Sequence, residues 1–245
     1  MNTLIGQLTN IHPSDFDEIA QNIMCNYIIK KGNREYAIVE IEFYLYTNDH
    51  RDVITYPRNT EAGQWFFHQS GIDITFKSRD IRMLTFDKGE LGLRPQFGGI
   101  LIRAIKQLND ENKSIIWGPQ NSVFELWDVF NAFSSDNSQY PHLVEKQSGL
   151  NPSDLRKFKR WIDIKEPTKR EEKIKEWLRR LVTDTEIKID LRQYQRDVLD
   201  EVKSVSPESL SYMYRYICHP ECEIKSLTTK DYSAKPRYAG LLIKE

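Results

Sequence analysis

The feature that most constrains this chain is a long strand that carries acidic residues on one face. Residues 36–46 are rich in β-branched and aromatic types, and their side chains alternate between two faces. One face is apolar, whereas the other includes Glu40, Glu42 and Tyr44. A charge inside an otherwise apolar strand is costly unless it is paired or used. We therefore expect this strand to lie in a sheet whose second face holds a site.

A basic residue occupies the same kind of position in a second strand. Arg103 lies within the apolar stretch 99–105, on the side that also holds Leu101. If the two strands are neighbours, Arg103 faces Glu42 across the sheet. A half-buried carboxylate beside an arginine can act as a general base towards water, and a neighbouring ring can stack on a planar base. A purely structural ion pair fits the same two residues and is the commoner arrangement.

The bulk properties indicate a globular protein without a membrane partner. Hydrophobic residues make up 39% of the 245 positions and charged residues 29%, which is far from a disordered composition. No apolar run approaches the roughly 18 residues that span a bilayer, and residues 1–5 lack the pattern of a secretory signal, so we expect a cytoplasmic location. The net charge of −1 argues against a global DNA-binding surface, because proteins that hold DNA through phosphate contacts tend to be basic.

Three cysteines are too few for a disulfide framework. Cys218, His219 and Cys222 bring three potential metal ligands together, but a structural zinc needs a fourth. We predict reduced thiols, no metal and no other cofactor.

The predicted elements divide the chain into an α+β half and a helical half. Spacing predicts a helix over about residues 14–29, strands over 36–46, 65–67, 72–76 and 99–105, and a short helix over 123–133. Mixed faces and short spacings favour a curved antiparallel sheet over a parallel one. Four helical signatures follow over 152–162, 168–182, 191–205 and 207–218, and then a closing strand over 238–243. We predict an α+β core over residues 1–133 and a helical portion over 148–245, either separate or packed on the core as one domain.

Five short motifs appear in a fixed order along residues 35–106. They are Val39-Glu40-Ile41-Glu42-Phe43-Tyr44, His50, Pro57-Arg58-Asn59, the stretch 71–76, and Leu101-Ile102-Arg103-Ala104. In this order the segment resembles the alkyladenine (3-methyladenine) DNA glycosylases, DNA-repair enzymes that excise alkylated purines. The likeness covers under a third of the chain. It depends on the collinear series rather than on any single motif.

The resemblance implies a curved antiparallel sheet and a role for each matching residue. Glu42 would be the general base that activates water against the anomeric carbon, and Arg103 would position the water or hold the carboxylate. Tyr44 and Phe76 would be two stacking rings for the extruded base, and His50 would contact the base or its phosphate. The implied activity is hydrolysis of an N-glycosidic bond, and the implied partner is a nucleic acid or nucleotide substrate.

Two further residues are candidates for substrate contact from their positions alone. His68 ends an aromatic cluster near a turn, where it can reach the same pocket as His50. Asp73 faces away from the side that holds Ile72 and Phe76, so it is a second candidate carboxylate. A turn-stabilising role is the alternative for Asp73.

The chain departs from the family pattern where an intercalating hairpin belongs. Residues 77–83 lack the aromatic wedge of the family and the asparagine that follows it. Without a wedge, a base flipped from a duplex has less to hold it open, which favours a single strand, RNA or a nucleotide derivative as substrate. Two other functions stay open: a non-catalytic nucleotide- or nucleic-acid-binding protein of the same fold, and a protein-interaction role centred on the C-terminal helices.

Overall fold

The structure is a computed structural model that describes residues 4–47, 49–50, 52, 55, 58–68, 71–79, 96–110, 114–128, 133, 139–158, 215–218, 222–224 and 241–243. These residues form a curled antiparallel sheet, shaped as a half-barrel, with a few helices, so the fold class is α+β. Among them, every helix is too short or too polar to cross a membrane.

Three helices and eleven strands are described. The helices are α1 (Leu4–Thr9), α2 (Phe16–Asn26) and α3 (Pro119–Leu126), with 3-10 turns at Pro13–Asp15 and Pro152–Asp154. The strands are β1 (Tyr27–Lys31), β2 (Arg34–Thr47), β3 (Trp65–His68), β4 (Gly71–Thr75), β5 (Gln96–Gln107), β6 (Ile116–Trp117), β7 (His142–Glu145), β8 (Leu155–Phe158), β9 (Arg215–Cys218), β10 (Cys222–Ile224) and β11 (Leu241–Ile243).

The centre of the sheet is the 14-residue strand β2. Neighbouring strands follow the order β3, β4, β5, β2, β1, β7, and every pairing is antiparallel. The start of β2 pairs with β1, and its middle pairs with β9 along the same edge, while β5 runs along the other edge. The β2–β5 register shifts between Ile38 and Ile41, an irregularity of the kind that bends and twists a strand. Strands β6 and β8 extend the sheet from β5 and β9.

One face of the sheet packs against α2. The helix begins with an acidic turn, which complements its dipole, and it buries Phe16, Ile19 and Ile23. The ring of Phe16 stacks on Phe43 of β2, with the centroids 4.3 Å apart. Because successive side chains of a strand point to opposite faces, burying Phe43 in this core places Glu42 on the other face.

A group of charged residues ties α3 to the hairpin of β1 and β2. The hydroxyl of Tyr36 donates to Glu125 Oε1 at 2.7 Å, and Arg34 Nη1 donates to the same oxygen at 3.1 Å. The buried Lys31 donates to the backbone oxygen of Glu125 and forms an ion pair with Asp128. These contacts fix α3 against the hairpin of β1 and β2.

The strands predicted in the first half of the chain are confirmed, three of them with wider bounds, while β4 covers 71–75 rather than 72–76. The helix predicted over 14–29 ends at Asn26, because Tyr27 already pairs with Glu145 in β1. The helix predicted over 123–133 overlaps α3, which begins earlier, at Pro119, and ends earlier, at Leu126. Its start follows from Gly118, whose φ of +97° breaks the preceding strand, and from a proline at the first helical position.

Two predicted helices in the second half are wrong where the structure describes them. Within 152–162 the chain forms a 3-10 turn and then β8, and the last residues of 207–218 form β9. Long-range pairing outweighs local helix preference here, because β9 gains hydrogen bonds to both β2 and β8. Within residues 148–245, the described elements after the 3-10 turn are therefore strands, and two of them, β8 and β9, belong to the main sheet. Helices predicted over 168–182 and 191–205 lie outside the described residues, and β11 confirms the end of the closing strand predicted over 238–243.

The close approach of β2 and β5 can be tested by a substitution at Gly98. Its φ is +153°, and a Cβ built there would collide with the carbonyl oxygen of Tyr44 and lie 3.0 Å from the Cα of Leu45. We predict that Gly98→Ala lowers the free energy of unfolding by about 3 kcal/mol or more, because the two strands must separate.

Gly149→Ala is the matched control, to be measured with Gly98→Ala by urea denaturation. Gly149 also has a left-handed backbone, with φ +80°, but a Cβ built there would meet no heavy atom of the described residues within 4 Å. It should therefore lose only about 1 kcal/mol from backbone strain. Equal losses in the two variants would contradict the close approach.

Candidate functional site

The face of the sheet opposite α2 carries a row of residues that crosses four strands. Asp73 of β4 pairs with Leu101 of β5, which pairs with Glu42 of β2, which pairs with Arg215 of β9. Arg103 is two residues from Leu101 and shares its face. Since adjacent strands lie about 4.8 Å apart, the backbones of Asp73 and Glu42 are separated by about 10 Å.

Glu42 receives two hydrogen bonds on the same carboxylate oxygen. Arg103 Nη1 donates to Glu42 Oε2 at 2.8 Å, and the hydroxyl of Tyr44 donates to that oxygen, also at 2.8 Å. Glu42 is only 2% exposed, while Tyr44 is half-buried. The structure thus brings the side chain of Arg103 into contact with Glu42 across the β2–β5 pair, as the strand pattern predicts, and adds Tyr44 as a donor.

A second carboxylate, Glu40, shares the guanidinium of Arg103. Arg103 Nε donates to Glu40 Oε1 at 2.8 Å, and Arg215 Nε donates to the same oxygen at 2.5 Å. Together with Tyr44, these residues form what we call the Glu42 cluster: Glu40, Glu42, Tyr44, Arg103 and Arg215. Two carboxylates and two guanidiniums balance each other's charge within it.

Arg103 supplies a permanent positive charge to this cluster. Burial alone would lower the pKa of Arg103, but the charges of Glu42 and Glu40 outweigh burial and raise the pKa well above its usual range. A fixed cation in contact with a carboxylate favours the ionised form of that carboxylate. Ionised Glu42 is the form that a general base requires.

Asp73 is the centre of a second buried group. Arg58 Nη1 donates to Asp73 Oδ2 at 2.5 Å, and His68 Nε2 lies 2.9 Å from Asp73 Oδ1. Burial alone would raise the pKa of Asp73, but the His68 hydrogen bond and the Arg58 charge outweigh it, so the pKa is lowered. Because an ionised carboxylate only accepts hydrogen bonds, His68 Nε2 carries the hydrogen, and this contact orients the imidazole ring.

Arg58 packs against the ring of Phe66 and close to the backbone of Gly99 on this face. The guanidinium carbon of Arg58 lies 4.1 Å from the centroid of the Phe66 ring, a cation–π arrangement. A Cβ built at Gly99 would lie 3.1 Å from Arg58 Nη1 and 3.1 Å from Asp73 Cβ. The same Cβ would lie 2.8 Å from the carbonyl oxygen of Ile74, so a side chain at Gly99 would require β4 and Arg58 to shift.

Phe76 is not part of either group, which corrects its prediction as a stacking ring. It is fully buried, and its centroid lies 6.3 Å from those of Phe16 and Phe43 in the core beneath α2. Side chains alternate between the two faces of the sheet, and Phe76 therefore shares its face with Ile72 and Ile74. That face is turned away from Glu42.

His50 lies in the turn that ends β2. Its backbone N–H donates to Thr47 Oγ1 at 3.0 Å, and its carbonyl oxygen accepts from the N–H of Thr47 at 2.8 Å. Asp52 follows, and its buried carboxylate accepts from the N–H of Leu45 at 3.3 Å. The turn therefore folds back on β2, and a contact of His50 with a base stays a prediction.

For four residues of the Glu42 cluster and the Asp73 group, the sequence alone predicts no role in the site. Glu40 was recognisable from its shared face with Glu42, and Arg58 from its motif, but neither pattern names a partner. Phe66 stands in an aromatic run whose register only the pairing with Asp73 defines. Arg215 lies 175 residues from Glu40, so no local signal connects them.

The described residues hold no cluster of three or more histidine, cysteine or acidic side chains that is arranged for a metal ion. Cys25 and Cys218 are buried free thiols. The side chain of Cys222 lies outside the described residues, so the group Cys218, His219 and Cys222 remains untested.

Comparison with known proteins gives one weak similarity. The chain is similar to the uncharacterized protein L759 of Acanthamoeba polyphaga mimivirus, with 27% identity over 138 residues, which covers 50% of this chain and 61% of that protein. The chain thus spans about three fifths of the length of this relative. No protein-family model matches the chain, and no solved structure matches it. The function must therefore be argued from the geometry.

We predict that Asp73→Asn lowers the free energy of unfolding at pH 7 by about 3–5 kcal/mol, because Arg58 then keeps a buried charge without its counterion. Since the pKa of Asp73 is lowered on folding, its contribution is complete above the ordinary value of 3.8 and is lost as the pH falls below it. The difference between wild type and Asp73→Asn, measured by thermal unfolding from pH 7 to pH 3, should shrink at the acidic end.

The control for this measurement is Asp17→Asn. Asp17 also pairs with a cation, Lys157, but its side chain is 67% exposed, so its loss should cost under about 1 kcal/mol. A similar, small effect of both substitutions would show that the Asp73 group contributes little to stability.

Proposed function

We propose that this chain hydrolyses an N-glycosidic bond in a nucleic acid or nucleotide derivative, with Glu42 as the general base. The observation that carries the proposal is the convergence of Arg103 and Tyr44 on one oxygen of Glu42, on the face of the sheet turned away from the core. The resemblance to alkyladenine glycosylases attaches roles to these same three residues.

The arrangement of the strands supports the resemblance as well. Three of the motifs lie on β2, β4 and β5, which are adjacent in the sheet, and a fourth supplies Arg58 to the same face. Motifs separated by about sixty residues thus come together around Glu42 and Asp73. The resemblance implies a curved antiparallel sheet, and the curled antiparallel sheet of this chain agrees with that expectation.

In the proposed reaction, ionised Glu42 accepts a proton from a water molecule as the water oxygen bonds to the anomeric carbon. The bond between that carbon and the base nitrogen breaks, and the base leaves with the electron pair. Arg103 keeps the carboxylate in place during proton transfer, and the ionised carboxylate also stabilises the positive charge that develops on the sugar. Tyr44 offers the half-buried ring on which the base would stack.

A specific observation favours the non-catalytic alternative, a nucleotide- or nucleic-acid-binding protein of the same fold. Glu42 is almost fully buried, and the charges around it balance, as in a structural ion-pair network. With Phe76 in the core, only Tyr44 of the two expected stacking rings stands at the site. The interaction role proposed for the C-terminal helices depends on segments outside the described residues.

Glu42→Gln separates the two functions. The amide keeps the shape of the side chain but cannot accept the proton, so we predict a loss of base release of about 10²–10⁴-fold with binding retained. Release should be measured by chromatography from methylated single-stranded DNA, methylated RNA, methylated duplex DNA and a methylated nucleoside. Binding to the same oligonucleotides should be measured by fluorescence anisotropy.

Glu125→Gln is a matched control for this experiment. Glu125 also accepts from a tyrosine and an arginine, but at α3 and away from the Glu42 cluster, so base release should be unchanged. Undiminished release by Glu42→Gln would exclude Glu42 as the base. Binding without release by wild type on every substrate would establish the non-catalytic alternative.

A further inference from the structure

We infer that Arg215 is a positioning residue of the Glu42 site, acting through Glu40 and Arg103. This inference rests on the proposed function, and it assigns a part of the site to the second half of the chain. Arg215 lies far outside residues 35–106, which carry the family resemblance. Its role is read from contacts and charge alone.

The position of Arg215 is fixed by its strand. β9 pairs antiparallel with β2, so that Arg215 stands directly opposite Glu42 and Ile217 opposite Glu40. The side chain of Arg215 is 3% exposed, and its guanidinium contacts Glu40 through Nε at 2.5 Å and also through Nη2. A buried guanidinium with two nitrogens against one carboxylate oxygen has little freedom to move.

The contacts form a chain of alternating charge that ends at the proposed base. Arg215 donates a hydrogen bond to Glu40, and Nε of Arg103 donates to the same carboxylate. Nη1 of Arg103 donates to Glu42. Arg103 therefore divides one guanidinium between two carboxylates. Its Nη1 contact with Glu42 depends on Glu40 having a second cation of its own.

Charge balance explains why the second cation matters. Glu40 and Glu42 are two residues apart on one buried face, and like charges this close favour protonation of one carboxylate. Of the described groups that face them, Arg103 comes from β5, Arg215 from β9 and Tyr44 from β2 itself. Without Arg215, Arg103 would be the single cation that the described residues bring to these two carboxylates.

Other charged groups near this face already have partners. Arg58, His68 and Asp73 form their own group on the far side of Leu101. Lys157 of β8 is turned towards Asp17 of α2. Neither contact offers a cation to Glu40, so Arg215 has no evident substitute among the described residues.

The first test is the pH profile of base release by Arg215→Gln, on whichever of the four methylated substrates wild type cleaves. The acidic limb of the profile reports protonation of the essential base. We expect this limb to move to higher pH by about one unit, because Glu42 and Glu40 then share one cation. Arg215→Lys keeps the charge and should restore the wild-type limb.

Lys31→Gln is the control for a structural effect. It removes another buried cation, 2% exposed and paired with Asp128, from the far end of the sheet. It should lower the melting temperature, as Arg215→Gln does, but leave the pH profile unchanged. A folded Arg215→Gln whose acidic limb coincides with that of wild type overturns the inference. If Arg215→Gln does not fold, Arg215→Lys decides, and a shifted limb in that variant also overturns it.

The second test does not depend on activity. Carboxyl carbon NMR of protein labelled at glutamate Cδ follows each titration directly, with the Glu42 signal assigned from Glu42→Gln. In Arg215→Gln the Glu42 signal should titrate at higher pH than in wild type. A merely structural pair between Arg215 and Glu40 would leave it unmoved, which overturns the inference. Absence of base release by wild type would overturn the proposed function only, since the NMR titration still decides the role of Arg215.

Discussion

The structure depends on the sharing of Arg103 between two buried carboxylates. β2 presents Glu40 and Glu42 on a face that is removed from water, where a carboxylate without a partner cation is costly. Both cations come from neighbouring strands, Arg103 from β5 and Arg215 from β9. Because removing one partner of a buried pair costs several kcal/mol, these contacts help to determine which strands flank β2.

The two faces of the sheet have different roles. Phe43, stacked between β2 and α2, belongs to the core that stabilises the fold, whereas the adjacent Glu42 belongs to the polar face. A one-residue slip of β2 would exchange these faces and bury both charges against α2. The alternation of β2 from Glu40 to Leu45 therefore protects the geometry of the site as well as the core.

The predictions from sequence succeeded where a pattern was long and failed where pairing was distant. The alternation along residues 36–46 and 99–105 correctly located β2 and β5 and predicted that Arg103 meets Glu42 across the sheet. The same parity shows why Phe76 belongs to the core, although the family motif suggested otherwise. β8 and β9 are four-residue strands, too short for a periodic signal, and they form because of partners far away in the sequence. For that reason no local pattern revealed Arg215 or its contact with Glu40.

The late position of β9 has a consequence for how the molecule assembles. During synthesis, β2 and β5 can pair well before residue 215 leaves the ribosome, but Glu40 then lacks one of its two cations. Such long sequence separation between partners slows folding, since a large loop must close before the contact forms. The nascent chain should therefore pass through a stage in which the core under α2 still lacks Tyr216 and Cys218 and the polar face is still hydrated. Docking of β9 would expel that water and complete the charge network in one step.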